Sequence, residues 1–131
     1  IKSAIKSGLK IIFCIGETLK ERRQKKTNQI LKRQIEKGLK SIKNKSKIII
    51  AYEPVWSIGT GVIPKEADLN KTISFIKSRF IKKYPKILYG GSVNTNNVSI
   101  LKKIPSIDGF LIGGASQNPK KFIDIIKKTI N

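Results

Sequence analysis

Four short apolar runs, separated by longer stretches with helical periodicity, limit most strongly how this chain can fold. The runs cover residues 9–15, 48–52, 86–89 and 109–112. They are nearly continuous in apolar character, which is typical of parallel strands that are covered on both faces. We therefore expect four parallel strands with helices between them.

Helical spacing of apolar residues follows each run. After the first run it appears at Ile30, Leu31, Ile35, Leu39 and Ile42, and after the second at Leu69, Ile73, Ile76 and Phe80. Pro64 suits a first helical turn, Asn94 or Thr95 can cap a short helix to residue 103, and Asn118 with Pro119 can begin the last helix. Residues 3–7 resemble the end of an earlier helix. The order α-β-α-β-α-β-α-β-α predicts right-handed crossovers, but periodicity does not separate an open doubly wound sheet from part of a closed barrel.

Polar and glycine-rich segments follow the predicted strands, where parallel α/β folds build their sites. Glu53 comes directly after the second run, and burial there would raise its pKa and make it a better base near neutral pH. A loop with an apolar middle and two glycines follows, which suggests that it closes onto something. The alternative is a packed loop with a salt-bridged Glu53. Glu17, after the first run, is interpreted as a helix-start carboxylate or a supporting ion-pair partner.

Paired glycines follow the third and fourth runs, at Gly90-Gly91 and Gly113-Gly114. Glycine lets backbone amides approach a ligand closely, and amides at a helix start can bind an anion. One such pair is weak evidence because tight turns also use it. Two pairs on the last two strands are typical of the phosphate site in (β/α)₈ barrels.

Four motifs together resemble the triosephosphate isomerase family. They are Cys-Ile-Gly-Glu-Thr at 14–18, Ala-Tyr-Glu-Pro-Val-Trp-Ser-Ile-Gly-Thr-Gly at 51–61, Tyr-Gly-Gly-Ser-Val at 89–93, and Gly-Phe-Leu-Ile-Gly-Gly-Ala-Ser at 109–116. The resemblance runs through all 131 residues. Since a complete TIM barrel needs about 250 residues, it implies that residues 1–131 form the C-terminal half of one α/β TIM-barrel domain, with strands five to eight.

The resemblance also implies roles for single residues. Glu53 matches the catalytic base that moves a proton during interconversion of dihydroxyacetone phosphate and D-glyceraldehyde 3-phosphate, through an enediol or enediolate and without a cofactor. Residues 54–64 match the closing lid, with Trp56 near its hinge and Glu17 as the partner of Trp56 in the open form. Substrate-binding positions match Gly59, Ser92, Gly113 and Gly114. Tyr89 and Ser92 match residues that hydrogen-bond the closed lid.

Some family features differ or are missing. Ser57 stands where Ala is usual, and Val62-Ile63-Pro64 replaces a Lys-containing hinge. The family's substrate-binding Asn and Lys and its electrophilic His lie in its N-terminal half, and this sequence has no His. We therefore expect the 131 residues to be a poor catalyst alone, whereas the complete parent would be an active cytoplasmic homodimer in glycolysis and gluconeogenesis. The start at Ile1, with no Met, also suggests a fragment.

Composition argues against several other functions and sites. The net charge is +20, but its lysines are spread over nearly every predicted helix, which favours solvated helix faces over a nucleic-acid surface. No apolar run approaches the length of a membrane span. The lack of His argues against a zinc site or a Ser-His-Asp triad, and we predict no metal and no cofactor. Cys14, the only cysteine, is expected to be buried and structural.

Two alternative functions remain: a non-catalytic half-barrel that assembles with a partner or itself, and a basic nucleic-acid-binding module that has no recognisable motif.

Overall fold

The computed structural model describes residues 1–80 and 85–130. The four strands are β1 (Ile11–Ile15), β2 (Ile48–Tyr52), β3 (Ile87–Tyr89) and β4 (Gly109–Phe110). The α-helices are α1 (Lys2–Lys6), α2 (Leu19–Arg23), α3 (Thr27–Leu39), α4 (Glu66–Ser78), α5 (Val98–Leu101) and α6 (Pro119–Ile130), with a 3₁₀ turn over Gly114–Gln117. The predicted domain 1–131 includes residues 81–84 and Asn131, which lie outside the described residues.

The strands form one parallel sheet in the order β1-β2-β3-β4. A doubly wound sheet reverses its strand order at a switch point, whereas successive strands of a (β/α)₈ barrel lie side by side in chain order. The sequential order therefore resolves the ambiguity that periodicity leaves. It confirms the predicted α/β class and agrees with half of a (β/α)₈ barrel.

One face of the sheet carries the core. Ile50, Tyr52 and Ile87 are fully buried and belong to the same apolar cluster as helix residues Leu31 and Leu69. Complete burial of such side chains contributes roughly 1.5–3 kcal/mol each to the free energy of folding. This face fixes the strands and therefore the positions of the loops that follow them.

The opposite face is less covered, and here two predictions are wrong. Ile12 is 46% exposed, Cys14 is exposed, and Ile49 and Leu88 are only partly buried. Successive strand residues point to opposite faces, and in the described part of the chain the helices pack on the other side. The expectation of strands covered on both faces therefore fails, as does the expectation of a buried Cys14.

Several predicted boundaries also shift. β2 matches its apolar run, whereas the other three strands are shorter than theirs; β4, for example, ends at Phe110. Pro64 precedes α4 instead of lying in its first turn, because that helix begins at Glu66. The short helix α2 is an additional element that begins with a Thr18–Glu21 capping box, and Lys25, with φ of 56°, separates it from α3. The prediction that Asn118 caps the last helix is confirmed, since its side chain accepts a hydrogen bond from the Lys121 amide at 3.1 Å.

Candidate active site

Glu53 lies at the carboxyl edge of the sheet, one residue beyond β2. Its amide donates to the carbonyl of Ile15 at 2.8 Å, and the amide of Gly90 donates to Tyr52 at 2.9 Å. These bonds fix Glu53 between the ends of the two neighbouring strands. Its carboxylate packs directly on Gly90, because a Cβ added at position 90 would lie 2.6 Å from Glu53 Oε1. Only glycine leaves room for this close approach.

Cys14 contacts the same carboxylate from β1. Burial, a hydrogen bond to Glu53 and the negative charge of Glu53 together raise the pKa of the Cys14 thiol from 9.0 to about 11. The thiol therefore keeps its proton at neutral pH and can donate it to the carboxylate. Although open to solvent in part, Cys14 is electrostatically unsuited to act as a nucleophile.

The loop of residues 54–64, which we call the lid, is docked against the next strand end. The Gly61 amide donates to Ser92 Oγ at 2.8 Å, and the hydroxyl groups of Ser57 and Tyr89 are 3.1 Å apart. Gly59 has φ of +70°, a left-handed conformation that favours glycine. The sequence-derived pairing of the lid with Tyr89 and Ser92 is therefore present, and Ser57 is the residue that meets Tyr89.

Ser92 itself adopts an unusual backbone conformation with φ of 39°. Its carbonyl accepts hydrogen bonds from Asn97 Nδ2 at 2.9 Å and Asn94 Nδ2 at 3.3 Å. Left-handed backbone is costly for a residue other than glycine unless its surroundings hold it. Asn94 was expected only as a helix cap, and Asn97 was missed. The sequence signal that could have identified Asn97 is its position at the start of the short helix α5, shortly after the glycine pair.

The predicted substrate-binding residues surround one open cavity of about 640 Å³. Gly59, Ser92, Gly113 and Gly114 all line it, and so does Gly90, the residue on which the Glu53 carboxylate rests. The cavity thus collects glycine backbone from the lid and from the ends of β3 and β4, with a carboxylate beside it. Lys121 also lines it and adds positive charge. Such an arrangement suits an anionic ligand, and the neighbouring carboxylate can act on it as a general base.

Glu17 holds the base of the lid. It is fully buried and accepts hydrogen bonds from Trp56 Nε1 at 3.2 Å and from the Tyr52 hydroxyl at 3.1 Å. Arg22 forms an ion pair with it at 3.4 Å and stacks over the Trp56 ring at 4.8 Å. Burial and the Glu17 charge raise the pKa of Tyr52, which keeps its hydroxyl a donor. The ion-pair interpretation of Glu17 is confirmed, whereas Tyr52 and Arg22 were not foreseen.

Two observations concern the described residues as a group. Within residues 1–80 and 85–130, no three side chains of His, Cys, Asp or Glu come together as metal ligands would. In the same residues, every helix is too short or too polar to cross a lipid bilayer.

Comparisons with known proteins all match this chain to one family. The family profile described as Triosephosphate isomerase matches residues 1–129. A triosephosphate isomerase of Thermodesulfovibrio yellowstonii is 45% identical over an alignment of 133 positions, gaps included, which covers 97% of this chain and 54% of that protein. The triosephosphate isomerase of Mycoplasma mobile is 47% identical, and the alignment covers 95% of this chain and 51% of that protein. The one from Candida albicans is 42% identical, and the alignment covers 98% of this chain and 54% of that protein. The chain therefore spans about half the length of the curated relatives that it matches.

Proposed function

Because the chain belongs to the triosephosphate isomerase family, whose profile matches residues 1–129, we propose that it forms the C-terminal half of a triosephosphate isomerase. The complete enzyme would interconvert dihydroxyacetone phosphate and D-glyceraldehyde 3-phosphate in the cytoplasm as a homodimer. The observation that carries the proposal is the contact between Glu53 and Gly90, because Gly90 also lines the cavity formed by the glycine-rich strand ends.

In the proposed reaction, Glu53 takes a proton from the carbon beside the substrate carbonyl and returns it to the neighbouring carbon. The substrate phosphate lies against the backbone amides of Gly59, Ser92, Gly113 and Gly114, and Lys121 adds a favourable field. General base catalysis of this kind contributes typically 10²–10⁴-fold to a rate. The docked lid keeps water away from the enediolate, which would otherwise lose its phosphate.

The test requires the part of the barrel that this chain does not supply. We define the complemented enzyme as this chain joined after the N-terminal half of the Thermodesulfovibrio yellowstonii relative. It should isomerise dihydroxyacetone phosphate, and Glu53→Gln should reduce kcat by about 10³-fold or more with a smaller change in KM. Glu66→Gln is the matched control, because this exposed carboxylate lies at the start of α4. Equal activity of the two variants would reject Glu53 as the base.

The second candidate function is a non-catalytic half-barrel that assembles with itself or a partner, and the uncovered sheet face favours it. Ile12 is 46% exposed on that face, beside the partly exposed Ile49 and Leu88. Sedimentation of the 131-residue chain separates the two ideas. A stable folded dimer that shields Ile12 would favour self-assembly, whereas a chain that folds only with an N-terminal half would favour the enzyme fragment.

A further inference from the structure

Ser57 occupies an unusual place in the lid. Its side chain is completely buried, although Val55 and Ile58 on either side are about half exposed. Its hydroxyl lies 2.6 Å from the carbonyl oxygen of Val62, five residues further along the lid, and 3.1 Å from the hydroxyl of Tyr89 on β3. The Ser57 hydroxyl therefore connects two positions of the lid to each other and to the sheet.

The direction of these hydrogen bonds follows from their chemistry. A carbonyl oxygen can only accept, so the single hydroxyl proton of Ser57 goes to Val62. Tyr89 must then donate to Ser57 Oγ, which requires a protonated phenol. Burial raises the pKa of Tyr89 to about 12, so the phenol keeps its proton throughout the neutral range. The result is a directed chain from Tyr89 through Ser57 to the backbone of Val62.

The residues between Ser57 and Val62 form the part of the lid that lines the cavity. Gly59 and Gly61 lie between Ser57 and Val62; both line the cavity, and the Gly61 amide donates to Ser92 at 2.8 Å. Holding positions 57 and 62 fixes the ends of this short segment. The Ser57 hydroxyl is the lid group that engages the Tyr89 phenol, at 3.1 Å.

We propose that Ser57 is a positioning residue of this enzyme, whose hydroxyl couples Tyr89 to Val62 and so holds the lid over the substrate. The inference rests on the proposed isomerase function, and it adds a lid residue to the site. Ser57 acts through Gly59 and Gly61, without contact to the reacting carbon. Without it, the Val62 carbonyl and the Tyr89 hydroxyl lose their shared partner, and the docked lid becomes less populated.

The direct test is hydrogen exchange of the lid amides in the complemented enzyme. Ser57→Ala removes only one hydroxyl group and keeps the Cβ, so the fold should persist. We expect amide exchange across residues 58–62 to rise roughly 5-fold, the effect of one net hydrogen bond. Ser78→Ala is the matched control, because the Ser78 hydroxyl also donates to a backbone carbonyl, that of Phe75, but on α4. Unchanged lid exchange in Ser57→Ala would overturn the proposal.

A double-mutant cycle with Tyr89→Phe tests the coupling. If Ser57 acts through Tyr89, adding Ser57→Ala to Tyr89→Phe should change lid exchange less than Ser57→Ala does alone. The same variants should release more inorganic phosphate per turnover, because a loosened lid exposes the enediolate. Fully additive effects would contradict the coupling. If the wild type shows no isomerisation, the proposed function fails, and lid exchange still decides the role of Ser57.

Discussion

The indole N–H of Trp56 donates to the buried carboxylate of Glu17 at 3.2 Å, which ties the beginning of the lid to the corner after β1. At the same time the Gly61 amide donates to Ser92, so the middle of the lid, around Gly61, is docked on the corner after β3. The resemblance assigned the first contact to an open lid and the second to a closed one. In this structure the two coexist, which indicates that docking the middle of the lid does not require Trp56 to leave Glu17.

Glu17→Gln should destabilise the fold. The substitution removes the negative charge while Arg22 remains in place, and it gives the Trp56 and Tyr52 donors a weaker acceptor. The Arg22 side chain is 24% exposed and can recover some hydration, so we expect the free energy of unfolding to fall by about 1–3 kcal/mol. Urea denaturation monitored by far-UV circular dichroism measures this change in the free energy of unfolding.

Glu36→Gln serves as the comparison for this prediction. Glu36 pairs with Lys32 on the surface of α3 at 3.9 Å, and both side chains are more than half exposed. Surface pairs of this kind contribute between 0 and about 1 kcal/mol. If both variants lose the same stability, the buried network around Glu17 has no special importance.

The thiol of Cys14 should report on the charge of Glu53. Alkylation of the 131-residue chain by iodoacetamide should follow the thiolate fraction, with a midpoint near pH 11. Glu53→Gln should move the midpoint down toward 9 but not fully, because burial is the largest cause of the raised pKa. An unchanged midpoint in Glu53→Gln would show that the two side chains do not interact.

The same raised pKa has a consequence for stability. The folded chain holds the Cys14 proton more tightly than the unfolded chain, so the stabilisation is complete below pH 9 and is lost as the pH rises toward 11. In Cys14→Ser this part of the pH dependence should disappear. Denaturation midpoints measured between pH 8 and 11 in the two chains provide the comparison.

Gly90→Ala should damage chemistry more than binding. The added methyl group would lie 2.6 Å from Glu53 Oε1 and must displace the carboxylate. Small misplacements of a catalytic group cost up to about 10²-fold in rate, so we expect kcat of the complemented enzyme to fall 10–100-fold with KM less affected. Gly109→Ala is the control, since its methyl group would meet only the Leu88 side chain, at 3.1 Å. A Gly90→Ala enzyme with wild-type kcat would show that Glu53 does not depend on this contact.

The position of Glu53 could be predicted because strand ends in parallel sheets converge. A carboxylate directly after the apolar run of β2 and glycine pairs after β3 and β4 must lie on one edge of the sheet. The structure agrees with that placement for Glu53, Gly113 and Gly114. Local spacing was sufficient there because Glu53 follows β2 immediately, and Gly113 and Gly114 come only a few residues after β4.

Contacts between distant side chains could not be predicted in the same way. Tyr52 lies within an apolar run, and nothing in its neighbours indicates that its hydroxyl meets Glu17, 35 residues earlier. The pairing of Ser57 with Tyr89, across 32 residues, likewise depends on the backbone path of the lid. The exposure of Cys14 was missed because a continuous apolar run does not reveal which face of a strand the helices cover.

Proton transfer at Glu53 is the central claim, and isotope incorporation tests it most directly. The complemented enzyme is incubated with dihydroxyacetone phosphate in D₂O, and proton NMR follows the carbon beside the carbonyl. Our account predicts that the wild type incorporates one deuterium there, whereas Glu53→Gln incorporates it about 10³-fold more slowly. Incorporation at the wild-type rate in Glu53→Gln would contradict it.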